Sequence, residues 1–188
     1  MSLNDIKKQV VLVDSKDAYL GTMEKMEAHK KGVMHRAVSI LIFNTKGEWL
    51  LHQRALNKYH TGGIWTNACC THPFLGENYE AAVERRVMEE MGMRINVKNL
   101  VHLFDFTYKA ELDNGLMENE FDRVFAYITD AEPTPNQDEV MAWKYLPHET
   151  LAREINSHPE NYTTWFRIIF EKARPHLDKI RALPIEKD

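Results

Sequence analysis

Residues 35–44, HRAVSILIFN, constrain this chain more than any other stretch. Between Ala37 and Phe43 only Ser39 is polar, and β-branched residues are frequent. Such a run reads as a central strand, buried on both faces. The neighbouring segments supply partners. QVVLVD at 9–14 reads as a short strand, and Asp17 to Gly21 as a turn or a second one. Met23 to His29 fits a short helix broken by Lys30 to Gly32. Asn44 to Gly47 is a turn, after which Glu48 to Arg54 pairs back as a hairpin. Residues 57–63 are a loop, and Ile64 to Ala68 a short extended piece.

From Tyr79 to Met91 the period changes to that of a helix, with Asn78 as N-cap and Gly92 as stop. Ala82, Val83, Val87 and Met91 form its apolar side. The pairs Arg85/Glu89 and Arg86/Glu90 each lie one turn apart on a common face. Strands are expected at Arg94 to Val97, Leu100 to Lys109, Glu118 to Thr129 and Val140 to Leu146. Asp113-Asn114-Gly115 is a hairpin signal between the second and third of these. Two helices follow, at about 148–156 and 161–174, broken near Pro159 and Pro175, and the tail LPIEKD is expected to fray. The class is α/β in the α+β sense: a mixed sheet sandwiched by helices, without regular βαβ alternation.

A chain of 188 residues, 44% apolar, suffices for one domain over 1–188. Its parts are a core at about 33–147, an N-terminal extension at 1–32 and C-terminal helices at 148–188. The net charge of -4 provides no basic field for nucleic acid, so an anion must be held by a few placed cations. No signal-peptide core or membrane-length apolar run is present, so the chain reads as soluble and cytoplasmic, as a monomer or weak homodimer.

The segment WTNACCTHP, 65–73, sets Cys70 two residues before His72. Adjacent cysteines strain the peptide between them when bridged, so Cys69 and Cys70 are read as free. That leaves a buried thiol or a reactive one. His29 and His35 flank a break, and Glu118 and Glu120 share one face of a strand. Two carboxylates side by side repel unless a cation lies between them. Three imidazoles and two carboxylates suit a divalent metal, octahedral once water or substrate takes the sixth place; Zn2+, Mn2+ and Mg2+ all remain open. Arg54, Lys58 and Arg86 are candidate phosphate cations, and Glu89 and Glu90 could hold Mg2+ for a diphosphate. The bland alternatives are a solvated strand face and ordinary surface charges.

Residues 71–93 resemble the Nudix box, G-x5-E-x7-R-E-U-x-E-E-x-G-U, where U is bulky and apolar. Glu77, Arg85, Val87, Glu89, Glu90, Gly92 and Met93 match seven of the nine specified positions. Thr71 replaces the glycine, and Arg86 replaces a glutamate that hydrolases use in their metal cluster. Together with HRAVSILIFN, QRALNKY, WTNACCTHP and MENE at 117–120, this resembles type 1 isopentenyl-diphosphate Δ-isomerases of the Nudix superfamily, from about Leu20 to Trp165. The resemblance implies a Nudix fold and isomerisation of isopentenyl to dimethylallyl diphosphate through a carbocation-like intermediate. It puts metal ligands on His29, His35, His72, Glu118 and Glu120, and substrate-bound Mg2+ on Glu90. Cys70, Glu120, Tyr108 and Trp165 become catalytic, with the thiol on the face of the alkene opposite Glu120. Lys25, Arg54, Lys58 and Arg86 become diphosphate contacts. A Nudix pyrophosphohydrolase and a silent binding module on the same fold are the competing readings.

Overall fold

The computed structural model describes residue 6 and residues 8–58, 60–112 and 115–183. Strand β1 (Gln9–Val13) pairs antiparallel with β2 (Tyr19–Glu24), and Leu12 of β1 meets His35 at the start of β3 (His35–Phe43). Helix α1 (Lys25–Lys31) lies between them in sequence. It starts two residues later than the sequence suggests, because Met23 and Glu24 pair with Val10 and Gln9. The Glu24 side chain accepts a bond from Glu27 N and opens the helix. Lys30 and Lys31 do not break it; they sit favourably at its negative end, and Gly32 at φ 59° provides the stop.

β3 is the centre, as its composition requires. Along one edge it runs parallel to β8 (Met117–Ile128), in register from His35 opposite Glu120 to Phe43 opposite Ile128. Along the other edge lie β1, then β6 (Cys69–Thr71), then the first residue of β4 (Trp49–Arg54). The expected hairpin is therefore formed only at Phe43 and Trp49. Because β6 occupies the rest of that edge, β4 turns away to pair with β5 (Trp65–Asn67) and β9 (Val140–Leu146).

β7 (Val101–Glu111) returns antiparallel to β8, and Leu112 N donates to Leu116 O at 2.8 Å near the tip. The proposed turn residues Asp113 and Asn114 lie outside the described residues. No strand forms at Arg94 to Val97. Asn96 N instead donates to the Tyr127 hydroxyl, and the Asn96 side chain caps a 3-10 turn at Val97–Asn99. The backbone groups of this stretch go to side chains rather than to a neighbouring strand.

Alternation along β3 divides the core. Val38, Ile40 and Ile42 face α2 (Tyr79–Met91) and pack with Cys69, Ala82, Val83, Val87 and Met91. Leu41 and Phe43 face the C-terminal helices α3 (His148–Ser157), α4 (Thr164–Ala173) and α5 (Leu177–Arg181) and pack with Leu51, Val124, Phe166 and Ile169. Both interruptions fall at prolines, in short 3-10 turns at Pro159–Asn161 and Arg174–His176. The two caps of α2 are as expected: Ala81 N donates to Asn78 Oδ1 at 2.7 Å, and Gly92 takes φ 63°.

Candidate active site

The parallel β3–β8 register places His35 directly opposite Glu120. Glu118, Glu120 and Asp122 alternate onto the face of β8 that carries Ser39 and the C-terminal helices, and all three are buried. His72 follows β6 and brings Nε2 to 2.9 Å from Glu120 Oε1; His35 Nε2 lies 3.5 Å from the same oxygen. α1 supplies His29, whose ring centroid is 4.9 Å from that of His35 and 5.6 Å from that of His72. His29, His35, His72 and Glu120 each present a ligand atom within 4.8 Å of the others. Glu118 stands beside this group rather than in it. The Tyr108 hydroxyl lies 2.9 Å from Glu118 and 2.7 Å from Glu120, joining the two.

A pocket of about 290 Å³ opens over this floor. Its wall includes Cys70, His72, Glu118, Glu120 and Trp165, and its mouth Lys25, Arg54, Lys58, Arg85, Arg86, Glu89 and Glu90. Two helical glutamates and two strand glutamates thus belong to one cavity. Arg54 lies over the Trp165 ring at 5.4 Å from its centre. Alternation on β6 turns Cys69 toward α2 and Cys70 toward this cavity. Cys70, Glu120 and Asp122 present atoms within 4.8 Å of one another. A thiol across the alkene from the acid needs roughly 7 Å between them, two van der Waals contacts; here the two approach within 4.8 Å. They are neighbours on one wall.

Three contributors have no role in the sequence reading. His60 is buried, with Nε2 3.7 Å from Glu118 and its ring edge-on to Trp165 at 6.0 Å. Asp122 accepts from Ser39 Oγ at 2.8 Å. Glu139 pairs with Lys58 and, at 2.5 Å, with Arg86. Period-two alternation through ENEFD could have found Asp122. His60 and Glu139 sit in irregular segments without such a signal.

The comparisons with known proteins bear on this geometry. A family model described as NUDIX domain matches residues 33–166. Curated "Isopentenyl-diphosphate Delta-isomerase" sequences are similar over most of the chain. That of Pectobacterium atrosepticum is 44% identical over 164 residues, 87% of this chain and 90% of its own length. Isopentenyl-diphosphate Delta-isomerase 2 of Photorhabdus laumondii is 46% identical over 160 residues, 85% of this chain and 89% of its own. The chain belongs to the Nudix-fold isopentenyl-diphosphate Delta-isomerases. Solved structures share the fold at low identity. DR0079 of Deinococcus radiodurans has TM-score 0.65 and 20% identity, covering 79% of this chain and 89% of its own. A MutT protein of Methanosarcina mazei has TM-score 0.58 and 23% identity, covering 78% and 94%.

In this isomerase chain the buried charges have shifted together. Burial and the Glu120 charge raise Glu118 to about 8. Burial pushes Glu120 the same way, but the adjoining His35 and His72 rings override it and hold its carboxyl low. Burial lowers His29, and lowers His72 to about 3, keeping both rings neutral. Burial, then Asp122 and Glu120, hold Cys70 well above an ordinary thiol. At the mouth, burial and then Arg86 lower Lys25 to about 8.

The donor set fits a divalent ion. Nδ1 of His29 lies 2.7 Å from Lys25 O, and Nδ1 of His35 lies 2.8 Å from Val33 O. Each carbonyl can only accept, so the ring proton sits on Nδ1 and Nε2 carries the lone pair. Neutral imidazoles with an ionised glutamate form a ready ligand set. Near the mouth, Glu90 Oε2 is buried without a hydrogen bond among the described residues, while Oε1 lies 2.5 Å from Arg86. That oxygen is suited to a second cation.

Proposed function

We propose that this chain converts isopentenyl diphosphate to dimethylallyl diphosphate by giving a proton to one carbon and removing one from another. The observation that carries the reading is one cavity with acid, thiol and aromatic groups in its wall and five cations at its mouth. Lys25, Arg54, Lys58 and Arg86 bind the diphosphate and hold the five-carbon chain in register, so binding at the unreactive end goes into orientation. Arg86, where a hydrolase of this fold has glutamate, favours clamping the diphosphate over attacking it.

A divalent ion (Zn2+, Mn2+ or Mg2+) on His29, His35, His72 and Glu120, with Glu118 beside the ion rather than on it, would draw charge from the Glu120 carboxyl and strengthen it as an acid, and Mg2+ on Glu90 would screen the diphosphate. Glu120 is the proton donor to the alkene. Tyr108 has one hydroxyl proton and two carboxyl neighbours. It donates to Glu120 while accepting from protonated Glu118, which gives the acid a supply line. Cys70, a neutral thiol next to Glu120, exchanges the second proton. The two carbons that trade protons flank a single carbon, so a chain lying across both groups reaches each. One proton is given and one taken, leaving none net. The tertiary cation that forms between them faces Trp165, whose indole contributes roughly 0.5–2 kcal/mol, the larger figure where water is excluded. Trp165 is only 2% exposed. We also read the chain as a monomer or weak homodimer: among the described residues only Tyr19 and Leu20 are exposed large apolar neighbours in sequence, and Leu56, Leu75, Met88 and Met141 stand singly.

Proton NMR of isopentenyl diphosphate in D2O with the metal-loaded protein tests the reading. Dimethylallyl diphosphate should form with deuterium in a methyl group. Unchanged substrate after prolonged incubation with each of the three metals refutes the function.

A further inference from the structure

Five cations, Lys25, Arg54, Lys58, Arg85 and Arg86, converge on the pocket mouth, and like charges so close repel one another. Burial lowers Lys25, and Arg86, Arg54 and Lys58 lower it further. Four carboxylates answer them among the described residues, and Glu77 takes Arg85, at 2.8 Å. Glu89 lies 3.2 Å from Arg86, Glu90 lies 2.5 Å from it, and Glu139 contacts both Arg86 and Lys58. Glu89 also touches Arg85, at 3.3 Å, but both its partners lie on α2; Glu139 joins cations from two different segments. It is also fixed by its backbone: Ala55 N donates to Glu139 O at 3.0 Å, and Glu139 N donates to Asn136 O at 2.9 Å. Ala55 follows Arg54 at the end of β4, where the β4–β9 register shifts beside Val140. The carboxylate is therefore anchored to the loop that carries Lys58 and held against the helix that carries Arg86.

Five cations against four carboxylates leave one net positive charge at the mouth among the described residues. A diphosphate monoester carries roughly three negative charges near pH 7, one on the inner phosphate and nearly two on the terminal one. With Mg2+ bound, it carries roughly one. The mouth thus balances the Mg2+ complex and is short of charge for the free anion. We propose that Glu139 is a specificity residue that makes this pocket select a Mg2+-complexed diphosphate over the metal-free one. It does so by neutralising one of the cations that would otherwise attract the bare anion. Without Glu139, Lys58 and Arg86 present full charge to the anion, and the need for Mg2+ relaxes. This inference rests on the diphosphate reading of the mouth.

The test is calorimetric titration of inorganic pyrophosphate into the full chain, with saturating Mg2+ and with chelator, for wild type, E139Q and E139D. Wild type should bind at least tenfold more tightly with Mg2+. In E139Q that ratio should fall at least tenfold, mainly through tighter binding of the free anion. E139D keeps the charge, and should keep the ratio within about threefold of wild type. A merely structural lesion lowers both affinities together and leaves the ratio alone; that outcome in E139Q overturns the inference. So does a Mg2+ ratio lost equally in E139D and E139Q. Wild type that binds no pyrophosphate even with Mg2+ overturns the diphosphate reading of the mouth, and this inference with it.

Discussion

Replacing Asp122 with asparagine should stabilise the protein at neutral pH. Asp122 is fully buried, its Oδ2 accepts from Ser39 at 2.8 Å, and its Oδ1 has no hydrogen-bond partner. Burial first, then the neighbouring Glu120 charge, raises its pKa well above the ordinary carboxyl value. In the unfolded chain the group ionises near 3.9. Between those two values the folded state holds a proton that the unfolded state has released, so stability falls as pH rises through the window. Each unit of upward shift costs about 1.4 kcal/mol at a pH above both values. Asparagine has nearly the same shape, keeps an acceptor for Ser39, and does not titrate. The gain for Asp122→Asn is thus present at pH 8 and falls toward zero near pH 4. For a chain of this size each kcal/mol of that gain raises Tm by roughly 2–4 °C. Thermal unfolding at pH 5, 6.5 and 8, in chelator so that no ion biases the site, gives the comparison. A variant less stable than wild type at pH 8, or an offset independent of pH, would refute a neutral, desolvated carboxyl at this position.

Cys70→Ala should remove nearly all isomerase turnover in a coupled or NMR assay, whereas Cys69→Ala, whose thiol packs against α2, should keep most of it; full activity in Cys70→Ala refutes the assigned role. Gly92→Ala should destabilise by more than about 2 kcal/mol, because φ is 63° and an added Cβ meets the Thr134 backbone oxygen and side chain. Urea unfolding measures it, and a change below 0.5 kcal/mol would count against the strain (roughly the noise level for a surface substitution).

Much of the site could be read from residue order because its parts lie in short, strongly patterned segments. Apolar density in β3 identified the centre of the sheet, and alternation along β8 put Glu118 and Glu120 on one face. Asn78 and Gly92 bounded α2 through capping chemistry that acts within a few residues. What escaped depends on contacts remote in sequence. Glu139 meets Lys58 and Arg86 only because β9 pairs with β4, and β4 pairs with β9 only because β6 takes its place beside β3. The fate of Arg94 to Val97 was decided by Tyr127 on another strand. Proximity of Cys70 to Glu120 is likewise a product of β6 and β8 flanking the same strand, which local pattern does not encode.

The unbroken parallel ladder from His35/Glu120 to Phe43/Ile128 has a consequence for how such a chain can vary in length. Because side chains on a strand alternate, inserting one residue between Glu120 and Ile128 while the far end stays paired would turn Glu118 and Glu120 out of the cavity and bring Asn119 and Phe121 in. The β7–β8 tip lies beyond the last working carboxylate and is not bound by that arithmetic. Descendants of this sequence can thus gain or lose residues at the hairpin end freely, while the stretch behind it must be inherited at fixed length.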